Sequence, residues 1–218
     1  MNRKRIDRLK QQTGNREIMR RSGRPHRGGD NGQTVLPVLG RIAKDHPRLE
    51  ACGSLDELNC AIGELAARIE VSLVGATRRR VIERQIKRIQ GELFHLGSLI
   101  SAKPSREQGR TTRPDAMVRR LEDEIEAMEA DLPVCKGFIL PGGNLPASAA
   151  HVARAICRRA ERCCVAALGS EPPADAVLPY LNRLGNWLFA LARYLSKSLG
   201  CREEYWQNPT KSRLSRSP

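Results

Sequence analysis

Aromatic side chains are scarce in this chain: three Phe, two Trp and three Tyr make up 4% of 218 residues. Sheet cores draw heavily on aromatic residues, so the scarcity argues against an aromatic-rich β-sandwich. The Ala, Leu, Ile and Val that remain suit helices packed on helices. Long apolar runs are also missing. Nothing approaches the roughly 18–20 consecutive apolar residues of a membrane span, and the basic start MNRKRIDRLKQQTGNREIMRRSGR lacks the apolar stretch of a secretory signal. Neither secretion nor membrane insertion is expected. No two of the seven cysteines have Cys-x-x-Cys spacing, and their number is odd. That argues against a disulfide scaffold or zinc site and for a reducing, cytoplasmic setting.

Acid is under-represented as well, giving a net charge of +14, but the surplus sits mostly at the ends. The first 30 residues hold ten Lys or Arg against three acids, and the last ten hold Lys211, Arg213 and Arg216 with no acid. Residues 1–25 therefore read as a basic, disordered arm, and 207–218 as a basic tail around a mildly basic body. The terminal placement of the charge, the few aromatics for base stacking and the lack of a nucleic-acid-binding motif make a nucleic-acid partner an unfavoured expectation.

What the chain does have is apolar periodicity at helical spacing. Residues 26–50, with HRGGDNGQT followed by Pro37, Gly40 and Pro47, read as a loop with little regular structure. A first helix is expected from about Ser54, where Ser54 and Glu57 form a capping box, with Leu55, Leu58, Ile62, Leu65, Ala66 and Ile69 as its stripe. A second is expected over 75–102, with Val81, Ile82, Ile86, Ile89, Leu93, Leu96 and Ile100. A third spans about 114–132, a fourth opens at Pro146 and runs to about 168, and a fifth covers about 176–199. Five helices with mostly short connections predict an all-α, antiparallel five-helix bundle.

Three places carry polar chemistry. In the fourth helix Arg154, Arg158 and Glu161 share a face at i, i+4, i+7, flanked by Arg159 and Arg162. A solvated charged face is the plain reading; an anion site is the sharper one, because the guanidinium fork matches phosphate oxygens. In the fifth helix Asn182 and Asn186 lie one turn apart among apolar residues, which suggests a polar pocket or a core specificity device. The loop GGDNGQT offers unobstructed backbone N–H groups and the Thr34 hydroxyl, with Lys44 ten residues on, but lacks a Gly-Lys-Ser/Thr ending. A fourth segment, Phe138-Ile139-Leu140-Pro141-Gly142-Gly143, reads either as an apolar plug over the bundle end or as a wall for a flat ligand.

GDNGQT, KDHPRLEACGSLDELN, FILPGG, ARAICRRAER and LNRLGNWLFALARY occur in one order. Together they resemble the PduO-type ATP:cob(I)alamin adenosyltransferases over roughly residues 26–206. The resemblance implies a homotrimer with sites between subunits, and transfer of the 5′-deoxyadenosyl group of ATP to the cobalt of a reduced corrinoid. ATP, accompanied by Mg²⁺, and cobalamin are then the substrates, with no metal held by side chains. A cobalamin reductase and an adenosylcobalamin-dependent enzyme are implied as partners. It assigns ATP contacts to His26, Arg27, Gly28, Gly29, Thr34, Val35 and Lys44, to Arg158, Arg159, Ala160, Glu161 and Arg162, and to Asn182. Asp56 and Arg154 are implied as a pair joining neighbouring subunits, Phe138 as an aromatic on the lower corrin face, and Asn186 as a residue on the corrinoid side. Arg158, Asp56, Arg154 and Phe138 form the implied catalytic set.

Three positions depart from the family pattern: His26 to Asp30 replace a Thr-rich loop, Cys52 replaces a Tyr, and Gly185-Asn186 replaces Ser-Asp. The alternative is a non-catalytic ATP- or corrinoid-binding carrier or sensor of the same fold.

Overall fold

The computed structural model describes residues 29–36, 39–102 and 114–207. The basic arm at 1–25, the positions His26, Arg27 and Gly28, and the tail from 208 onward lie outside them. The chain divides after His46 into two compact units.

The first unit carries a small antiparallel hairpin, where a structureless loop was expected. Strand β1 (Gln33–Leu36) pairs with β2 (Gly40–Ala43), in register from Gln33 opposite Ala43 to Leu36 opposite Gly40. Gly32 and Gly40 take φ of +74° and +73°, which a side chain would oppose at these two turns. Strands of four residues allow too little alternation to show in a sequence.

The described residues of the second unit form five helices: α1 (Pro47–Glu70), α2 (Ala76–Ser101), α3 (Pro114–Glu129), α4 (Leu145–Leu168) and α5 (Ala174–Ser198). α1 starts seven residues before the expected Ser54 cap. Pro47 suits the first turn and Glu50 complements the N-terminal dipole. Arg48 donates to Ile100 O at 2.8 Å and to Glu171 Oε2 at 2.8 Å, which ties the new start to the bundle. Ser54 is buried within the helix, and Glu57 pairs with Arg159 instead of closing a box. α4 begins one residue before Pro146, capped by Asn144, whose Oδ1 accepts from Ala147 N at 2.9 Å.

The helices pack in the order α2, α1, α4, α5, α3. Paired contacts give the directions. Arg48 to Ile100 with Asn59 to Gln90, Arg48 to Glu171 with Glu57 to Arg159, and Asn144 to Leu195 with Cys157 to Leu181 make α1/α2, α1/α4 and α4/α5 antiparallel. Arg183 to Glu122 with Lys197 to Asp131 O instead sets α3 parallel to α5. The ring closes through α2 and α3, where Arg88 bridges Glu92 and Glu124 and Arg120 reaches Glu92 at 2.7 Å. The most buried helix is α5, with Tyr180, Leu184, Trp187, Leu188 and Leu191 fully enclosed. Val81, expected in the α2 stripe, faces outward instead. All seven cysteines are free, and no helix among the described residues is long and apolar enough to cross a membrane.

Candidate functional site

Helix α4 sets out the charged residues because its other face is committed to the core. Ala153, Cys157, Ala160 and Cys164 are buried, so residues 158, 159 and 162 fall on the outside. Ala160 therefore presents its methyl to the core. Burial raises the Cys164 thiol to about 12 and the Cys157 thiol further still, which leaves both as apolar filler.

The α4–α5 seam brings together three of the residues singled out from sequence. Asn182 Nδ2 donates to Glu161 Oε1 at 3.2 Å. Arg158 lies alongside, its Cγ 4.0 Å from where a Cβ on buried Gly185 would stand. The Arg158 stem thus lies against α5 at ordinary van der Waals distance, and the residue is exposed. Arg162 turns back to donate to Arg158 O at 3.0 Å. Arg159 is drawn away to Glu57 of α1. Asn182 and Asn186 are both exposed. They lie on the one solvent-facing stripe of α5, not in a core pocket.

One turn from Arg158, Arg154 is half-buried, and its Nε is enclosed with no hydrogen-bond partner. Burial, then the neighbouring Arg158 charge, lowers its affinity for the proton. Asp56 stands exposed on α1, beside an open groove of about 270 Å³ between α1 and α2 that Phe94 and Leu93 also line. Within the chain Asp56 and Arg154 form no ion pair with each other.

A second cluster occupies the bundle end where α4 begins, roughly 20 Å along that helix from Arg158 at 1.5 Å per residue. Here Phe138 is 79% exposed, with its ring edge-on to Trp206 at 6.4 Å and 72°. Its exposure removes the plug reading. The strand-like segment 138–140 pairs with 204–206: Leu140 N donates to Glu204 O and Trp206 N to Phe138 O, both at 2.8 Å. Behind this pairing, buried Arg193 on α5 donates to Glu203 Oε1 at 2.6 Å, and Tyr205 Oη donates to Glu203 Oε2 at 2.8 Å. Burial alone would raise the Glu203 carboxyl, but the bonds from Arg193 and Tyr205 hold it below its ordinary range. Sequence reasoning passed over Arg193, Glu203 and Tyr205. The one available signal was an arginine inside the apolar run LFALARYL.

In the hairpin unit Thr34 lies on β1, and Lys44 follows β2, its N–H bonded to Gly32 O at 2.8 Å. The Lys44 ammonium sits close over Gly29, 3.1 Å from where a Cβ would be, so Gly29 leaves it room. Val35 is exposed. Among the described residues no group of three or more His, Cys, Asp or Glu side chains gathers where a metal ion would be held.

A model of the family described as cobalamin adenosyltransferase matches residues 26–195. The chain is 42% identical to a corrinoid adenosyltransferase of Bacillus subtilis over 172 residues, spanning 79% of this chain and 86% of that one. It is 38% identical to a cobalamin adenosyltransferase of Cupriavidus metallidurans over 186 residues, spanning 85% and 95%. Among solved structures, it resembles a variant PduO-type ATP:corrinoid adenosyltransferase from Lactobacillus reuteri complexed with cobalamin and ATP. The TM-score is 0.73 at 32% identity, over 83% of this chain and 97% of that one.

Proposed function

Since this chain belongs to the cobalamin adenosyltransferase family, we propose that it transfers the 5′-deoxyadenosyl group of ATP to the cobalt of a reduced corrinoid. Cobalt(I) attacks C5′ with its electron pair, the Co–C bond forms, the C5′–O bond breaks, and triphosphate leaves with the bonding electrons. Cobalt ends formally as cobalt(III). The nucleophile is the substrate's own metal. The protein's tasks are to orient ATP, neutralise the leaving group and make cobalt(I) attainable.

The observation that carries this reading is the α4–α5 seam, where an exposed Arg158 fork lies beside an Asn182–Glu161 pair. Arg158, with Arg162 behind it, takes triphosphate oxygens through charge-assisted bonds. Asn182 has one amide hydrogen on Glu161 and keeps its other polar positions for the nucleotide. Gly29, Thr34, Val35 and Lys44 contribute backbone, hydroxyl and ammonium contacts to the phosphates, together with His26, Arg27 and Gly28. Mg²⁺ would enter with ATP and help offset the phosphate charge. Phe138 meets the lower corrin face and displaces the axial ligand, which makes cobalt(II) easier to reduce, while Asn186 faces the corrinoid.

The working unit on this reading is a homotrimer with sites between subunits. The partnerless Arg154 Nε and the exposed Asp56 support it, because a second copy supplies each with its partner. A cobalamin reductase delivers the reduced substrate, an adenosylcobalamin-dependent enzyme takes the product, and the setting is the cytoplasm, where seven free thiols persist.

The test is an anaerobic assay of the full chain with ATP and chemically reduced cobalamin, followed through the alkylcobalt spectrum. Turnover with release of triphosphate is the expected result. Binding of both substrates with no alkylcobalt product would select the carrier or sensor reading instead.

A further inference from the structure

We propose that Arg193 and Glu203 are positioning residues for Phe138: their ion pair fastens segment 201–206 to α5, and that segment holds the Phe138 loop at its working height. The inference rests on the functional reading above, in which Phe138 meets the corrin.

Arg193 sits where the α5 stripe calls for an apolar residue, with only 5% of its side chain exposed. Its guanidinium makes three bonds: Nε to Glu203 Oε1 at 2.6 Å, and Nη2 to Glu203 Oε2 at 3.2 Å and to Pro133 O at 2.7 Å. One side chain therefore grips the start of the loop at 133–144 and the segment that pairs with it. A hydrophobic replacement for a buried ion pair often matches or exceeds its stability, so net stability is a poor account of this one. What the pair supplies is a fixed direction and length.

The contacts that set the loop's height run to the 204–206 segment. Phe138 O accepts from Trp206 N and its ring meets Trp206 edge-on, Leu140 N donates to Glu204 O, and Ile139 bridges Tyr205. Between residues 139–143 and the side chains of His151, Ser196 and Glu203 lies a cavity of about 130 Å³, so this stretch of the loop is only partly packed from below. The far end is pinned separately. Gly143 has φ of +99° and approaches Ser196 so closely that a Cβ would lie 3.0 Å from its Oγ, and Asn144 Nδ2 donates to Leu195 O at 3.3 Å. The near end, which carries Phe138, depends on the clamp. Tyr205, bonded to Glu203 Oε2 at 2.8 Å, couples the clamp to the β-bridge with Ile139.

The experiment compares wild type, Glu203→Gln and Tyr205→Phe as full chains. Each is measured for melting temperature, for steady-state kinetics against ATP, and, by low-temperature electron paramagnetic resonance, for the share of bound cob(II)alamin that has lost its axial ligand in the presence of ATP. Glu203→Gln should lower kcat roughly 10- to 100-fold, as a misplacement near 1 Å does. Its KM for ATP should stay within about two-fold of wild type. The four-coordinate signal should shrink in proportion to kcat, with Tyr205→Phe intermediate. Wild-type kcat and signal in Glu203→Gln would overturn the proposal. If Glu203→Gln fails to fold, Tyr205→Phe decides: a weakened signal at unchanged melting temperature supports the clamp, and a wild-type signal overturns it. A wild-type chain with neither turnover nor signal would overturn the functional reading itself, and the clamp's role with it.

Discussion

Asn182 reaches across the α4–α5 seam to Glu161 at 3.2 Å, which holds the amide beside the Arg158 stem. Both residues of this pair stand at the surface edge of the bundle, so the bond adds little to stability. Its value is orientational. Asn182→Ala should change unfolding free energy by under about 0.5 kcal/mol. The KM for ATP should rise by roughly ten-fold, the worth of a hydrogen bond near 1.4 kcal/mol. Thermal melts beside ATP-dependent kinetics check both halves. A large fall in melting temperature would mean that the bond is structural.

Arg154 Nε is enclosed without a hydrogen-bond partner, and Asp56 is exposed. On the trimeric reading Asp56→Ala leaves that guanidinium uncompensated at the interface. The trimer should loosen and activity fall together. Sedimentation velocity across a concentration series is the measurement. A wild-type chain that sediments as a monomer while turning over fully rules the intersubunit pair out.

The thiols divide by burial. Cys60 and Cys135 are exposed, whereas Cys157 and Cys164 are enclosed with their thiols pushed far above the ordinary range. Under native conditions at pH 8 a thiol reagent should label Cys60 and Cys135 rapidly and leave Cys157 and Cys164 untouched until the bundle unfolds. Peptide mapping after timed quenching reads this directly. Early labelling of Cys157 would contradict the α4–α5 packing.

His151 is buried with its Nδ1 unpartnered, and burial, followed by the Arg154 charge, lowers its proton affinity below the ordinary 6.5. The unfolded chain therefore binds the proton more readily than the folded one, so stability rises with pH through this region. The contribution is present above about pH 6.5 and is lost as pH falls toward the lower, folded value. His151→Leu should flatten that part of the stability profile relative to wild type. Chemical denaturation between pH 5 and 8 tests it, and parallel profiles for the two proteins would show that His151 does not titrate on unfolding.

The helices were legible because their stripes repeat. Leu55, Leu58, Ile62, Leu65 and Ile69 are all buried in α1, and Ile82, Ile86, Ile89 and Leu93 are all buried in α2. The start of α1 was not, because Ser54 and Glu57 imitate a capping box by composition alone. The decisive facts were tertiary: Ser54 is enclosed and Glu57 has an arginine on another helix. Asn182 and Asn186 misled for a similar reason. Apolar neighbours suggest burial, yet these two positions share the single outward stripe of a helix otherwise surrounded. The Arg193–Glu203 clamp had no local signature at all. Its partners lie ten residues apart across a chain reversal at Gly200 with φ of +72°, and periodicity cannot report that geometry.

Arg158 is the residue on which the chemistry of the seam depends most. Its side chain is exposed, its stem lies against Gly185, and Glu161, three residues on along α4, is engaged by Asn182. Lysine at this position keeps the positive charge but replaces a planar fork with a point charge that cannot take two phosphate oxygens in parallel. Charge-assisted bonds are worth roughly 1.5–3 kcal/mol each. Losing one in Arg158→Lys should therefore lower kcat/KM for ATP by about 10- to 150-fold. Corrinoid binding should change little, because the Phe138 cluster lies about 20 Å farther along α4. The melting temperature should also hold, since an exposed side chain with a flexible replacement alters stability by under about 0.5 kcal/mol. Kinetics against varied ATP, with corrinoid affinity measured separately, tell this apart from a merely solvated arginine. Wild-type ATP dependence in Arg158→Lys would move the triphosphate site elsewhere on the molecule.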